Sequence, residues 1–242
     1  MKKMRAFALR CTKELVRDPI SILFSMVFPI LILLLMYTIQ QNVPVPLFAI
    51  ESLAPGIAVF GLAFFTLFSA QLIARDRETA LLARLYTTPL TAWDFLLGYT
   101  LPLLPLSLLQ SAVVYGTALL LGLPFSGHVI LAWLSVLPAA LFFIGLGLLC
   151  GSLLTNAQVG GICGGALPTL TAWLSGAWFD LSAMGDGFLH IANLLPFAHA
   201  TALGRTLLAG QTEWDSVCIE LLWGVVVMVV AAVAFLRQTQ KD

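Results

Sequence analysis

The sequence predicts an all-α polytopic membrane protein with six transmembrane helices, and three observations carry that expectation. Hydrophobic residues fill 60% of the 242 positions and charged residues only 10%, where an ordinary soluble domain is roughly 25% charged. Six stretches stay apolar for about the 20 residues a helix needs to cross the hydrocarbon. No stretch alternates with period two as a barrel strand does, so the backbone must satisfy its own hydrogen bonds in helices. Residues 1–242 read as a single transmembrane domain. The net charge of zero gives no long-range attraction to nucleic acid.

The N-terminal segment, residues 1–19, carries Lys2, Lys3, Arg5, Arg10, Lys13 and Arg17. Between them Met4, Phe7, Ala8, Cys11 and Leu15 recur at helical spacing, which predicts an amphipathic helix lying in the membrane interface. No small-residue cleavage pattern follows, so the first apolar run is expected to stay as an uncleaved span. The six spans are placed at Ile20–Ile39, Leu53–Ala74, Phe95–Leu121, Val129–Leu154, Val159–Trp178 and Val217–Leu236. Pro29, Pro102, Pro105 and Pro138 then mark kinks, which membrane helices tolerate. Residues 179–216 are too apolar for an ordinary loop, and Pro196 divides them into pieces too short to span. They are expected to form external re-entrant or interfacial half-helices shielded by protein.

Orientation follows from the lysines and arginines. Eleven of the twelve fall in the N-terminal segment, the 75–92 loop and the C-terminal tail, all on one side of a six-span arrangement. The other side holds Arg205 alone, with Glu51, Asp180, Asp186, Glu213 and Asp215. Both termini and the loop between spans two and three are therefore placed in the cytoplasm. In that loop Ala80, Leu81, Leu82 and Leu85 are interleaved with Arg77, Glu78 and Arg84. This is the pattern of a short amphipathic helix across the cytoplasmic mouth.

Several chemistries find no support in the residues. No GxxxxGK[ST] occurs and no lysine stands between Lys13 and Lys241, so a phosphate-cradling loop is excluded from this chain. If ATP drives the protein, another polypeptide hydrolyses it. An intramembrane serine protease needs Gly-x-Ser-Gly with a later histidine. Here Trp173 takes the first glycine position before Ser175-Gly176, and the last span has no histidine. No catalytic site is expected. His190 and His199 lack metal-ligand spacing and read as interfacial or packing residues. Cys11, Cys150, Cys163 and Cys218 read the same way, as small packing residues, so no metal site is expected. Glu220 reads as an interfacial carboxylate near the external surface, with no acidic relay behind it.

Two packing patterns stand out. Gly160, Gly161, Gly164 and Gly165 open span five, and Gly147 and Gly151 end span four, at spacings that let helices approach closely. They serve either packing of spans four and five within the chain or contact between chains. Phe60, Phe64 and Phe68 form a helical stripe on span two, and Trp173, Ser175 and Phe179 lie near the outer end of span five. Lipid or helix contact is one explanation, and a wall along a path for an apolar substrate is the other.

The charged loop resembles the signature of the ABC-2 type permeases of ABC exporters. Asp76-Arg77-Glu78, then Leu82, Arg84 and Leu85, then Thr88-Pro89 and Leu97-Gly98 stand where that family has its matching residues. Ala80, Leu81 and Ala83 depart from it. Pro55-Gly56, Ser175-Gly176 with Phe179, Leu195-Pro196 and Arg205 are similar to further family positions, so the resemblance covers the chain. It implies a permease subunit with no cofactor of its own, working with two cytoplasmic ATPase subunits that bind ATP and Mg. A second permease subunit, identical or related, completes the membrane part, with lipids around it. Arg75, Asp76, Arg77, Glu78, Leu81, Leu82, Arg84, Leu85, Thr88 and Pro89 would then form the coupling helix that meets the ATPase. The cargo implied is hydrophobic or amphipathic (a drug, lipid or lipid-linked molecule). On composition alone, an ATP-independent carrier or channel remains the alternative.

Overall fold

The computed structural model describes residues 2–79 and 91–239. Among them every regular element is helical. The chain opens with α1 (Lys2–Val16), which stops before Asp18-Pro19. Proline suits the first turn of a helix because it has no N–H to satisfy there. Pro19 starts α2 (Pro19–Asn42), and the Asp18 carboxylate caps it by accepting the Ser21 N–H at 3.2 Å. A single 3₁₀ turn at Pro46–Phe48 leads into α3 (Ile50–Glu78). Next come α4 (Ala92–Leu120), α5 (Gly127–Leu134) and α6 (Val136–Leu153). The last two form one run that breaks at Ser135, three residues before Pro138, whose missing N–H leaves the Leu134 carbonyl without its helical donor.

Among the described residues five helices are long and apolar enough to cross a membrane: Ser21–Asn42, Ile50–Glu78, Trp93–Leu120, Gly127–Leu153 and Trp214–Arg237. The expected fifth span, Val159–Trp178, has a different form. It consists of α7 (Asn156–Gly161), a π-turn (Ile162–Ala166) and α8 (Leu167–Leu174), and it ends four residues early. Pro168 explains the π-turn. It cannot donate to the Gly164 carbonyl, and the ladder widens so that the Leu167 N–H reaches Ile162 instead. After a 3₁₀ turn at Leu181–Met184 come α9 (Asp186–Leu194), α10 (Pro196–Leu208) and α11 (Trp214–Thr239). Pro196 separates the two short helices as expected, and it does so from the first turn of α10.

The core is built around α3. Within its most apolar window 89% of the residues are buried, against 22% for α2 and 28% for α11. Helix α6 lies along it at close range because Gly147 and Gly151 have no side chains. A Cβ at Gly147 would collide with the Thr66 carbonyl and Ser69 Oγ, and one at Gly151 would come within 2.9 Å of Ala70 Cα. Thr66 adds a hydrogen bond from its hydroxyl to the Phe143 carbonyl at 3.1 Å. The α6 glycines therefore join spans two and four, not spans four and five as the spacing suggested. The other cluster packs on almost nothing within the chain. A Cβ at Gly160, Gly161 or Gly165 would meet no atom within 4 Å, and Gly164 approaches only Leu67, at 3.4 Å.

Helix α1 forms where the spacing predicts a helix, and its apolar stripe packs on the protein, with Phe7 and Cys11 buried against α4. Phe7 packs edge-on to Phe95 and Tyr99, with ring centroids 5.3 and 4.9 Å away, over the space left by Gly98. Leu9 and Val16 are instead the exposed apolar residues. Overpacking a tight contact costs about 1–3 kcal/mol. Gly151→Leu is thus expected to lower the stability of the detergent-solubilised chain by that order in thermal unfolding. Gly161→Ala is expected to leave it unchanged.

Candidate functional site

The last turn of α3 gathers the neighbouring helices. Asp76 is 1% exposed and its carboxylate accepts three bonds. Arg10 of α1 forks onto it, Nη2 to Oδ1 at 2.5 Å and Nη1 to Oδ2, and the Tyr99 hydroxyl of α4 donates to Oδ2 at 2.7 Å. A buried carboxylate is tolerable only with such partners. Burial works against the Arg10 charge, but the bond and charge of Asp76 outweigh it and raise the Arg10 pKa. Glu14, one turn along α1, adds a contact to Arg10 at 2.9 Å. Burial pushes the neighbouring Cys11 thiol up to about 12, which suits a packing residue rather than a reactive one.

Arg77 and Glu78 turn toward the body of the chain. Arg77 Nη1 donates to the carbonyls of Gly151, Ser152 and Leu154 at 3.0, 2.8 and 3.2 Å. These sit at the C-terminal end of α6, where carbonyls lack helical donors and the helix dipole favours a cation. Glu78 Oε1 accepts the Asn156 N–H, at 3.3 Å, in the first turn of α7, where the dipole favours an anion. Three consecutive charges thus bind four helices: Asp76 holds α1 and α4, Arg77 holds α6, and Glu78 holds α7. The sequence places the charged segment after span two, but α3 continues through Arg75–Glu78 without a break. Arg75 is exposed beside this turn. Leu81, Leu82, Arg84, Leu85, Thr88 and Pro89 lie outside the described residues.

An aromatic groove of about 640 Å³ lies between α2, α3 and α8. It brings together four of the six residues expected along a substrate path: Phe60, Phe64, Trp173 and Phe179. Sequence reasoning missed Phe24 and Phe28 on α2, although their i, i+4 spacing matches that of Phe60 and Phe64. The Phe28 ring lies 5.7 Å from Phe64 and 6.2 Å from Phe60, and Phe60 lies 5.5 Å from Trp178. Gly164 and Gly165 form part of the wall, and the Trp178 N–H has no acceptor among the described residues. Phe68 is not in the groove; it packs against Phe65 at 5.6 Å. Ser175 is buried, and its hydroxyl accepts the Ala177 N–H at 3.3 Å.

At the other end of α3, Arg205 ties three segments together. Its Nε donates to the Ser52 carbonyl at 2.9 Å and its Nη2 to the Gly176 carbonyl at 2.8 Å. Gly176 has φ +65°, which a residue with a side chain adopts only with strain. Pro55 packs on Gly204, and Gly56 packs on Ala177. The separate dipeptides Pro55-Gly56 and Ser175-Gly176 therefore meet at Arg205. A second cavity of about 520 Å³ opens here, with Phe179, Asp180, Asn193, His199, Arg205 and Glu213 on its wall. His199 Nε2 lies 2.8 Å from the Asn193 carbonyl, which can only accept, so that nitrogen carries the proton. Nδ1 lies 3.0 Å from the Ser216 hydroxyl, which can donate to it or accept from it. Bonds from the Ser182 hydroxyl and N–H hold Asp180 below the usual carboxylate range. Glu220 departs from the expectation of an interfacial carboxylate. It is 0% exposed, and neither oxygen has a hydrogen-bond partner among the described residues. The face of α11 that carries it turns into the bundle.

The Arg10–Asp76 pair offers a direct check on the first node. Arg10 keeps 36% of its side chain exposed, which discounts the gain, so Asp76→Asn is expected to cost about 1–3 kcal/mol. In a double-mutant cycle on unfolding of the solubilised protein, Arg10→Met should add little once Asp76 is already Asn.

Comparison with known proteins identifies the family. The family model described as ABC-2 type transporter matches residues 2–208. The probable multidrug ABC transporter permease YbhR of Escherichia coli K12 is 26% identical over 192 residues, 78% of this chain and 50% of the relative. Its counterpart in Escherichia coli O157:H7 gives the same figures. The chain spans about half the length of the curated relatives it matches. The match runs from α1 through α10, across both ends of α3 and the groove between them, and the chain belongs to the ABC-2 type transporter membrane family.

Proposed function

We propose that the chain is the membrane-spanning permease subunit of an ATP-driven exporter in the cell membrane, moving a hydrophobic or amphipathic cargo out of the cytoplasm. The observation that carries this reading is the last turn of α3, where Asp76, Arg77 and Glu78 bind four helices directly before residues 80–90. A push delivered to that segment reaches α1, α4, α6 and α7 together. The chain has no phosphate-cradling motif, so ATP and Mg belong to a separate pair of cytoplasmic ATPase subunits. A second permease subunit would complete the membrane part, and the uncovered glycines Gly160, Gly161 and Gly165 give it a close-packing surface.

The run from α7 to α8 serves as the sixth crossing in this reading. Its start is tied to Glu78 at one end of α3, and Ala177, just past its end, packs on Gly56 near the other. The 19 residues 156–174 extend about 28 Å, close to the hydrocarbon thickness. The sequence carries eleven of its twelve lysines and arginines in the N-terminal segment, the 75–92 loop and the C-terminal tail, which supports a cytoplasmic Asp76 end and cytoplasmic termini in this reading.

Contact with the ATPase falls to Arg75, Leu81, Leu82, Arg84, Leu85, Thr88 and Pro89, while Arg77 and Glu78 transmit. This division is open to experiment. Arg77→Met keeps the length of the side chain and removes its bonds to α6. It should lower transport per ATP hydrolysed roughly ten-fold while membrane insertion and ATPase association stay near wild type. Arg84→Glu should weaken ATPase association itself. Co-purification and transport in proteoliposomes read the two effects separately, and tight coupling in Arg77→Met contradicts the assignment.

A further inference from the structure

The aromatic groove and the cavity beside Arg205 have Phe179 in common, and their chemistries differ in a way that specifies a charge. We infer that the cargo is a lipophilic cation, with an apolar, charge-delocalised body held in the groove and its positive charge drawn toward the carboxylates beyond Phe179. The inference rests on the permease reading and names its substrate class.

Among the described residues the groove has no ionisable side chain on its wall. A compact ammonium would lose its hydration there without compensation. A cation whose charge is spread over a bulky apolar frame loses far less. Phe28, Phe60, Phe64, Trp173 and Trp178 make this wall aromatic, and an aromatic ring attracts such a charge over its face through its quadrupole, where it repels an anion.

The next space continues the selection. Asp180 and Glu213 are exposed on the cavity wall, and neither is ion-paired among the described residues. The bonds from Ser182 favour the ionised form of Asp180. Arg205 is the cation on the same wall; its charge also favours ionised Asp180, and its Nε and Nη2 are held by the Ser52 and Gly176 carbonyls. Glu51, Asp186 and Asp215 stand exposed in the first turns of α3, α9 and α11 at this end. Five carboxylates against one guanidinium give this end a negative field that draws cations out of the groove and turns anions away. A neutral cargo would gain nothing from these carboxylates.

Tetraphenylphosphonium and tetraphenylborate share one shape and carry opposite charges, which makes them suitable probes. Equilibrium dialysis of the purified full-length chain in a nonionic detergent, against protein-free micelles, measures saturable binding of each. The chain is expected to hold the phosphonium about ten-fold more tightly than the borate. Trp173→Leu should weaken phosphonium binding. Asp180→Asn with Glu213→Gln should weaken it about five-fold, with borate binding unchanged or raised. These are isosteric changes at exposed positions, and Asn still caps the Ser182 turn. Preference for the borate, absence of saturable phosphonium binding, or indifference to the carboxyl double variant overturns the inference. Failure here is separable from failure of the permease reading. ATP-driven export of an uncharged amphipath alone, by the complex with its ATPase, would keep the permease and discard the cation.

Discussion

The Asp76 carboxylate, fully enclosed and bonded by Arg10 and Tyr99, is the constraint on which the rest of the arrangement depends. A charge at that depth is tolerated only when its lone pairs are used, so α1 and α4 must meet α3 there. Phe7 on Gly98 fixes their approach, because any side chain at position 98 would displace the ring. With α3 held in place, the next two charges reach the adjoining ends of α6 and α7, a cation at carbonyls and an anion at N–H groups. Three adjacent side chains thereby set where one end of five helices lies. At the other end Arg205 performs the corresponding task with two backbone carbonyls. The groove is lined by α3 residues that lie between these two nodes, Phe60 and Phe64.

Much of this was legible in the sequence. Length and apolarity located the helices, and Pro196 located the division between α9 and α10. Legibility failed where one helix had to be assigned its neighbour. The spacing of Gly147 and Gly151 announced a close approach, yet equal spacing at Gly160–Gly165 made span five the natural partner, and only packing showed α3 filling that role. The stripe of α1 signalled an apolar contact without saying whether lipid or α4 would provide it. The bonds of Arg77 and Glu78 to α6 and α7 were not legible, because their partners are backbone groups at helix ends and backbone leaves no mark in a sequence. The break of span five into α7, a π-turn and α8 follows from Pro168 and is readable only in hindsight. Phe24 and Phe28 could have been found, since their spacing repeats that of Phe60 and Phe64.

The groove and the two nodes also explain why the polar residues are so unevenly distributed. Charges cluster at the ends of α3, where each has work in joining helices or shaping the field. Between the ends the walls are aromatic or small. Gly164 and Gly165 line the groove, while Gly147 and Gly151 let α6 close on α3. Glu220 is the exception, a carboxyl group inside the bundle on the face of α11 opposite lipid, with no partner among the described residues.

The central claim is that the end of α3 and the start of α7 move as one body when the ATPase acts. Spin labels at Thr79→Cys and Gln158→Cys, both exposed positions, report their separation by pulsed electron paramagnetic resonance in the complex with its ATPase. The distance distribution is expected to be the same in the resting and ATP-trapped states, while a second pair across the groove, Leu23→Cys and Thr169→Cys, changes between them. A shift of the Thr79–Gln158 distance, with the groove pair unmoved, would contradict the account.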